Sequence, residues 1–296
     1  RFDRPLEDLF AVQDELADRI AALVESQIGR ESLRRARRRA PASFSAYEWL
    51  LHGRDRLGRS TEADAGAAGT MLDRAIGADG GYALAYAWRS MVAQWGFTLG
   101  WGELRGRAAL DLALELARRA AALEPGSSLC LMRVAFALSL LGRDDEAVES
   151  GRQGVRANPC DATSRHAHGE ILSRAGLHAA GVAELRRAMS LNPFHPPYWR
   201  ATVGRALLLA GQHDEALTEL RLAAALAPDY RPVHSSLVVT LVEADRMDAA
   251  CASMREVLRL RPGWSISRYD DEFGLRRPAD TMRFLAAFRA AGMPEH

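Results

Sequence analysis

Few residues in this chain have the type and spacing to carry chemistry. His166 and Glu170 stand four positions apart, one helical turn, so both could offer a ligand to one metal ion, with His168 between them. No third ligand stands at a usable spacing, and no metal or cofactor is expected. Cys130, Cys160 and Cys251 are too widely spaced for a zinc pattern or a disulfide framework. Cys160 follows Pro159 and has no histidine at a spacing that would activate a thiolate. Asp144-Asp145-Glu146 read as a helix start, where carboxylates oppose the positive end of the helix dipole. All 39 basic residues are arginine, so a Schiff-base lysine or a lysine-bearing phosphate loop is excluded within these 296 residues. The net charge of +1 argues for neither nucleic acid nor a membrane surface as partner. No apolar run reaches spanning length. Unpaired cysteines suit a reducing compartment, so a cytoplasmic location is expected.

What the residues do spell out is a frame. Pro125, Pro159, Pro193, Pro228 and Pro262 are separated by 34, 34, 35 and 34 residues. Twelve positions before each proline comes a small residue: Ala113, Ala147, Gly181, Ala216 and Ala250. Twenty-four before lie Ala135, Gly169, Gly204 and Val238; seventeen before lie Gly142, Gly176, Gly211 and Asp245. Small residues at the first two columns let paired helices approach closely. The glycine column ends a first helix in a left-handed cap, and the proline stops the second. His168 then falls at position seven, a buried slot expected to face its own partner helix, which removes it from a shared metal face.

With this register the chain resembles the tetratricopeptide repeat (TPR) family, closely from Ser128 to Pro262. The expected fold is an all-α, right-handed α-solenoid of about six helix-turn-helix repeats, with a long amino-terminal helix and carboxy-terminal capping helices. Residues 1–40 read as an amino-terminal helix and arginine-rich linker, with 6–39 as one long helix or two and an apolar stripe of Leu9, Val12, Leu16, Ile20, Leu23 and Val24. The arginines at 30–39 read as a solvated segment, since no aromatic residues interleave them. Residues 41–262 form the array, with repeats at 46–80, 83–125, 128–159, 162–193, 197–228 and 231–262, and 263–296 form the cap. The second repeat is about 11 residues too long. Its excess centres on Trp95, Phe97 and Trp101, a possible aromatic anchor for a partner; the favoured expectation is that the segment folds back to fill the gap its own length creates.

In that family the first helices line a concave groove. Carried onto this chain, the groove contacts include Met132, Phe136 and Leu140, then His166, Glu170 and Arg174, then Tyr198, Arg205 and Leu209, and Val239. Such a groove would take a protein or peptide, or the protein's own amino-terminal domains; coverage by another part of this chain, such as the long first helix, is the competing arrangement. The clamp that grips chaperone carboxylates is not expected, because Met132/Phe136, His166/Glu170 and Ala201/Arg205 occupy its positions.

A narrower resemblance rests on the ends. The run from Arg1 to Glu15, the Ala46-Tyr47-Glu48 repeat start and the Phe288-to-Pro294 tail resemble the region following a TolB-like module in bacterial class III adenylate cyclases. It implies a regulatory or interaction module of a longer signalling protein, whose catalytic domain, with its two metal-binding aspartates, lies outside these residues. None of those aspartates can be carried onto this chain. The same module follows winged-helix DNA-binding domains in bacterial regulators, and a self-association role that sets an oligomeric state is also open.

Overall fold

A computed structural model of the chain describes Ile28 and residues 44–102, 104–268, 275 and 277–296. Apart from Ile28, the expected first helix and arginine-rich linker lie outside the described residues. Thirteen α-helices follow in six pairs and a last single helix: α1 (Ala46–Leu57) with α2 (Glu62–Ala78), α3 (Ala83–Thr98) with α4 (Gly106–Leu123), α5 (Ser128–Leu140) with α6 (Asp144–Ala157), α7 (Ala162–Arg174) with α8 (His178–Leu191), α9 (Pro197–Leu209) with α10 (His213–Leu226), α11 (Arg231–Glu243) with α12 (Met247–Leu260), and α13 (Pro278–Ala290). No strand occurs among the described residues.

Local chemistry sets the boundaries. Ser45 and Glu48 form a reciprocal capping box at α1, the Glu48 amide donating to Ser45 Oγ at 3.3 Å and the Ser45 amide to Glu48 Oε2 at 2.8 Å. Asp161 caps α7 by accepting from the Thr163 and Ser164 amides. Each pair from the third to the sixth turns on a left-handed residue: Gly142, Gly176, Gly211 and Asp245, with φ of 80°, 86°, 78° and 54°. Ser60, at φ 57°, does the same in the first pair without any glycine to signal it.

The small-residue columns are where helices touch. A Cβ on Gly169 would sit 2.7 Å from Leu185 Cγ and 2.9 Å from the Gly181 carbonyl, so α7 and α8 meet almost backbone to backbone. Gly204 leaves the same space for Leu220. His168 packs elsewhere: its Cδ2 lies 2.7 Å from where a Cβ of Gly151 would be, on the second helix of the preceding pair. Register-equivalent ion pairs, Arg165–Glu184 and Arg200–Glu219, tie first to second helices in successive pairs at 2.9 and 2.7 Å.

The odd-numbered helices pack side by side as an inner layer and the even-numbered ones flank them outside. The inner helices are buried almost all round; α6, by contrast, buries only Ala147, Gly151 and Gly154. In the cap, a 3-10 turn, Ile266–Arg268, follows α12, and 269–274 lie outside the described residues. Helix α13 closes a core of Trp264, Phe284 and Phe288, all at most 1% exposed. It also reaches back along the array. His178, at the start of α8, meets Asp280 at 3.1 Å; Arg283 donates to the Leu208 carbonyl at 3.0 Å and pairs with Glu243.

Candidate functional site

Helices α3, α5, α7, α9 and the start of α11 converge on one cavity at the centre of the inner layer. Helix α3 and the connection after it close its far side. Trp95, in the last turn of α3, packs edge-on against Tyr198 of α9 at 5.7 Å, and Trp101 meets Trp95 at 5.5 Å and Tyr230 at 6.1 Å. Arg231 donates to the Thr98 carbonyl at 3.5 Å, joining residues 133 positions apart. Gly96 makes this fold-back feasible, because a Cβ there would lie 2.5 Å from the Leu104 carbonyl. The space left at the centre is about 60 Å³.

Of the groove contacts expected from sequence, Phe136, His166, Glu170, Arg174, Tyr198 and Arg205 line this cavity, as does Trp95. Four do not, and the groove set is corrected accordingly. Met132 is wholly buried inside its own pair, its methyl carbon 3.1 Å from where a Gly154 Cβ would be. Leu140, Leu209 and Val239 are 3%, 7% and 0% exposed within the core. The physical reason is curvature: adjacent inner helices press together, so flank positions that an open groove would expose become contacts. The aromatic segment also differs from a simple loop. Trp95 and Phe97 lie on α3 itself, and Phe97 packs with Leu110, Met132 and Phe136 rather than beside Trp95.

The cavity's electrostatics centre on Arg133, which the repeat register does not select. Its signal is its isolation: it is the one charged residue in α5. Arg133 is 4% exposed and, among the described residues, has no carboxylate within 4 Å. Its Nη1 makes a long 3.4 Å bond to Gln94 Oε1, its Nε has no partner, and the Trp88 ring lies 5.6 Å away. Burial pushes its pKa down, although a guanidinium stays charged throughout the useful range. An uncompensated buried cation costs several kcal/mol, only partly offset by a ring contact of about 0.5–2 kcal/mol. Nearby, Glu170 and Arg205 pair at 2.7 Å and neutralise each other.

His166 stacks on Trp199 at 4.5 Å, with His195 also near-parallel to that indole at 5.7 Å. Its Nε2 is buried without a partner. Burial, then the charge of Arg133, holds its pKa well below the usual histidine value, so it is neutral at pH 7. Burial pushes the Tyr198 hydroxyl up, keeping it protonated. His166 and His168 do not share a face, and among the described residues no group of three or more His, Cys, Asp or Glu side chains could hold a metal ion. Among the described residues no helix is long and apolar enough to cross a membrane.

No family model matches the chain. Solved structures with a similar fold include the human IFIT1 dimer with m7Gppp-AAAA, 14% identical, covering 86% of this chain and 60% of that one, at a TM-score of 0.61. The Cut9-Hcn1 hetero-tetramer of the APC/C is 16% identical, covers 74% of this chain and 41% of its own, and has a TM-score of 0.56. The likeness at these identities is one of fold. What decides the type of solenoid is that helix pairs recur on the 34–35-residue frame, each turning at the left-handed column and touching at the small-residue columns. The fold is a tetratricopeptide α-solenoid. Among curated proteins, this TPR chain is 31% identical over 147 residues, half its length, to putative adenylate cyclase 3 of Rhizobium meliloti (strain 1021). It spans about a quarter of that relative's length, 25%.

Proposed function

We propose that this TPR chain is a non-catalytic interaction and regulatory module belonging to a bacterial adenylate cyclase-type signalling protein. The observation that carries the reading is the match to a quarter of a putative adenylate cyclase, coupled to a fold of the protein-interaction type. The partner is a protein, either the catalytic domains of the same polypeptide or a second chain. The inner-face residues Phe136, His166, Glu170, Arg174, Tyr198 and Arg205, with the aromatic wall of Trp95 and Trp101, are the surface through which we place its regulation. Because that wall crosses the concave side, a partner acts on the closed form or must first displace the two indoles.

The test is to read the open reading frame that contains these residues and assay its product. A cyclase catalytic domain is expected in the same polypeptide, with cyclic AMP synthesis that changes when residues 1–296 are deleted. The purified chain alone is expected to form no cyclic AMP from ATP. A winged-helix domain in place of the cyclase, or cyclic AMP formed by the isolated chain and lost on point mutation within it, would replace this reading.

A further inference from the structure

We propose that the central cavity is a binding site for a small aliphatic monocarboxylate of two to four carbons, held by Arg133. The proposal goes beyond the module's attachment to a cyclase and does not rest on it. It stands on two buried side chains that line one cavity, each with a polar atom left without a hydrogen-bond partner. Arg133, 4% exposed, lines it with an Nε that has no partner and a guanidinium that has no carboxylate within 4 Å among the described residues. His166, also 4% exposed, presents an unpartnered Nε2. A guanidinium offers paired N–H donors that match the two oxygens of a carboxylate. Trp95, Phe136 and Tyr198, the last with a protonated hydroxyl, give the wall an aromatic part beside polar side chains such as Gln94, Thr163 and Arg174.

Charge sets the valence of the ligand. Arg133 carries one positive charge and a monocarboxylate supplies one negative charge, whereas a dianion such as phosphate would exceed it. Glu170 and Arg205 pair with each other at 2.7 Å, and Arg174 also lines the cavity. Size sets the chain. At about 10–15 Å³ per water the 60 Å³ centre holds roughly four to six waters, the bulk of a two-to-four-carbon acid and far less than a peptide. Aromatic walls favour an aliphatic tail over a bare inorganic anion. Binding would replace waters around a desolvated cation with its counter-charge and brace the contact between α3 and α9, on which the closed solenoid depends.

Tryptophan fluorescence and calorimetry on the full chain, at constant ionic strength, provide the test. Sodium propionate and sodium butyrate are the probes, propionamide the neutral analogue and inorganic phosphate the dianion. Saturable one-site binding of a carboxylate below about 10 mM is expected, with a rise in melting temperature that propionamide and phosphate do not produce. Arg133→Gln should weaken that binding at least ten-fold, and Arg133→Lys should retain part of it. The carboxylate-versus-amide comparison uses wild-type protein, so the test survives if Arg133→Gln fails to fold. Absence of saturable carboxylate binding, equal binding of propionamide, or unchanged affinity in a folded Arg133→Gln would overturn the proposal.

Discussion

At the scale of single residues, Gly169 and His166 show opposite ways in which a position becomes intolerant. Gly169 faces a carbonyl 2.9 Å from any Cβ it might carry, and a backbone atom cannot swing aside as a flexible side-chain end can. Gly169→Leu should therefore lower stability by about 1–3 kcal/mol or more through overpacking, read as a fall in Tm; an unchanged Tm would show that α7 and α8 do not meet there. His166 is buried neutral, with Arg133, His195 and Arg205 around it. Its folded pKa lies below the unfolded value near 6.5, and those of His168 and His195 are lowered too. The unfolded chain thus takes up protons first as pH falls below about 6.5, so the stability these groups contribute is present above that pH and lost beneath it. Urea midpoints should fall from pH 7 to pH 5, with up to about 1.4 kcal/mol per pH unit from each histidine while the folded form resists protonation. A folded His166→Asn variant should show a shallower decline than wild type.

At the scale of elements, the enlarged second pair does the unexpected work. The later pairs use helices of 13 and 14 residues, whereas α3 and α4 have 16 and 18. Trp95, the thirteenth residue of α3, meets Tyr198, and the extra turn with the connection after it brings Trp101 to Tyr230. Each indole buries on the order of 150–250 Å², so Trp95→Ala should cost about 3–5 kcal/mol and shift the tryptophan emission of the remaining residues. A Trp95→Ala protein of wild-type stability would mean that α3 does not close onto α9. Phe136→Ala follows the same logic. Phe136 is 9% exposed and joins the core of Leu110 and Met132 while also facing the cavity, so a loss of about 3–5 kcal/mol in chemical melts is expected rather than a selective loss of partner binding.

For the molecule as a whole, the consequence is a solenoid closed on itself. An open array of this type gains its stability from neighbours alone. Here Arg231 to Thr98, Trp101 to Tyr230 and the packing of Arg261 against Gly100 add contacts between the second and sixth pairs. Unfolding should therefore be more cooperative than a chain of nearest-neighbour repeats allows. A doubly substituted Trp95→Ala/Trp101→Ala protein should show a larger radius of gyration by X-ray scattering, together with a broader denaturant transition. If the radius stays that of the wild type, the aromatic wall is not what holds the curve. Concentration-dependent sizing of the isolated chain separates a self-associating module, which would shift with dilution, from one that meets its partner as a monomer.

The amino-acid sequence determined by itself whatever depends on a repeated local geometry. The proline frame located the helix ends, Gly142, Gly176 and Gly211 located the turns, and Gly169 and Gly204 located the close approaches, because each of these is a steric requirement within one pair. The inner-face side chains of α7 and α9 were legible for the same reason. The tertiary structure alone decided whether the groove is open. Curvature accumulates over five pairs, and no single repeat encodes where Trp95 will meet Tyr198 across more than a hundred residues. Packing within and between neighbouring pairs placed Met132, Leu140, Leu209 and Val239 in the core rather than in an open groove. The closure also drew attention to Arg133, whose importance comes from its surroundings: a lone cation in an apolar helix becomes a candidate anion site only when distant helices seal it from water and bring no carboxylate to meet it.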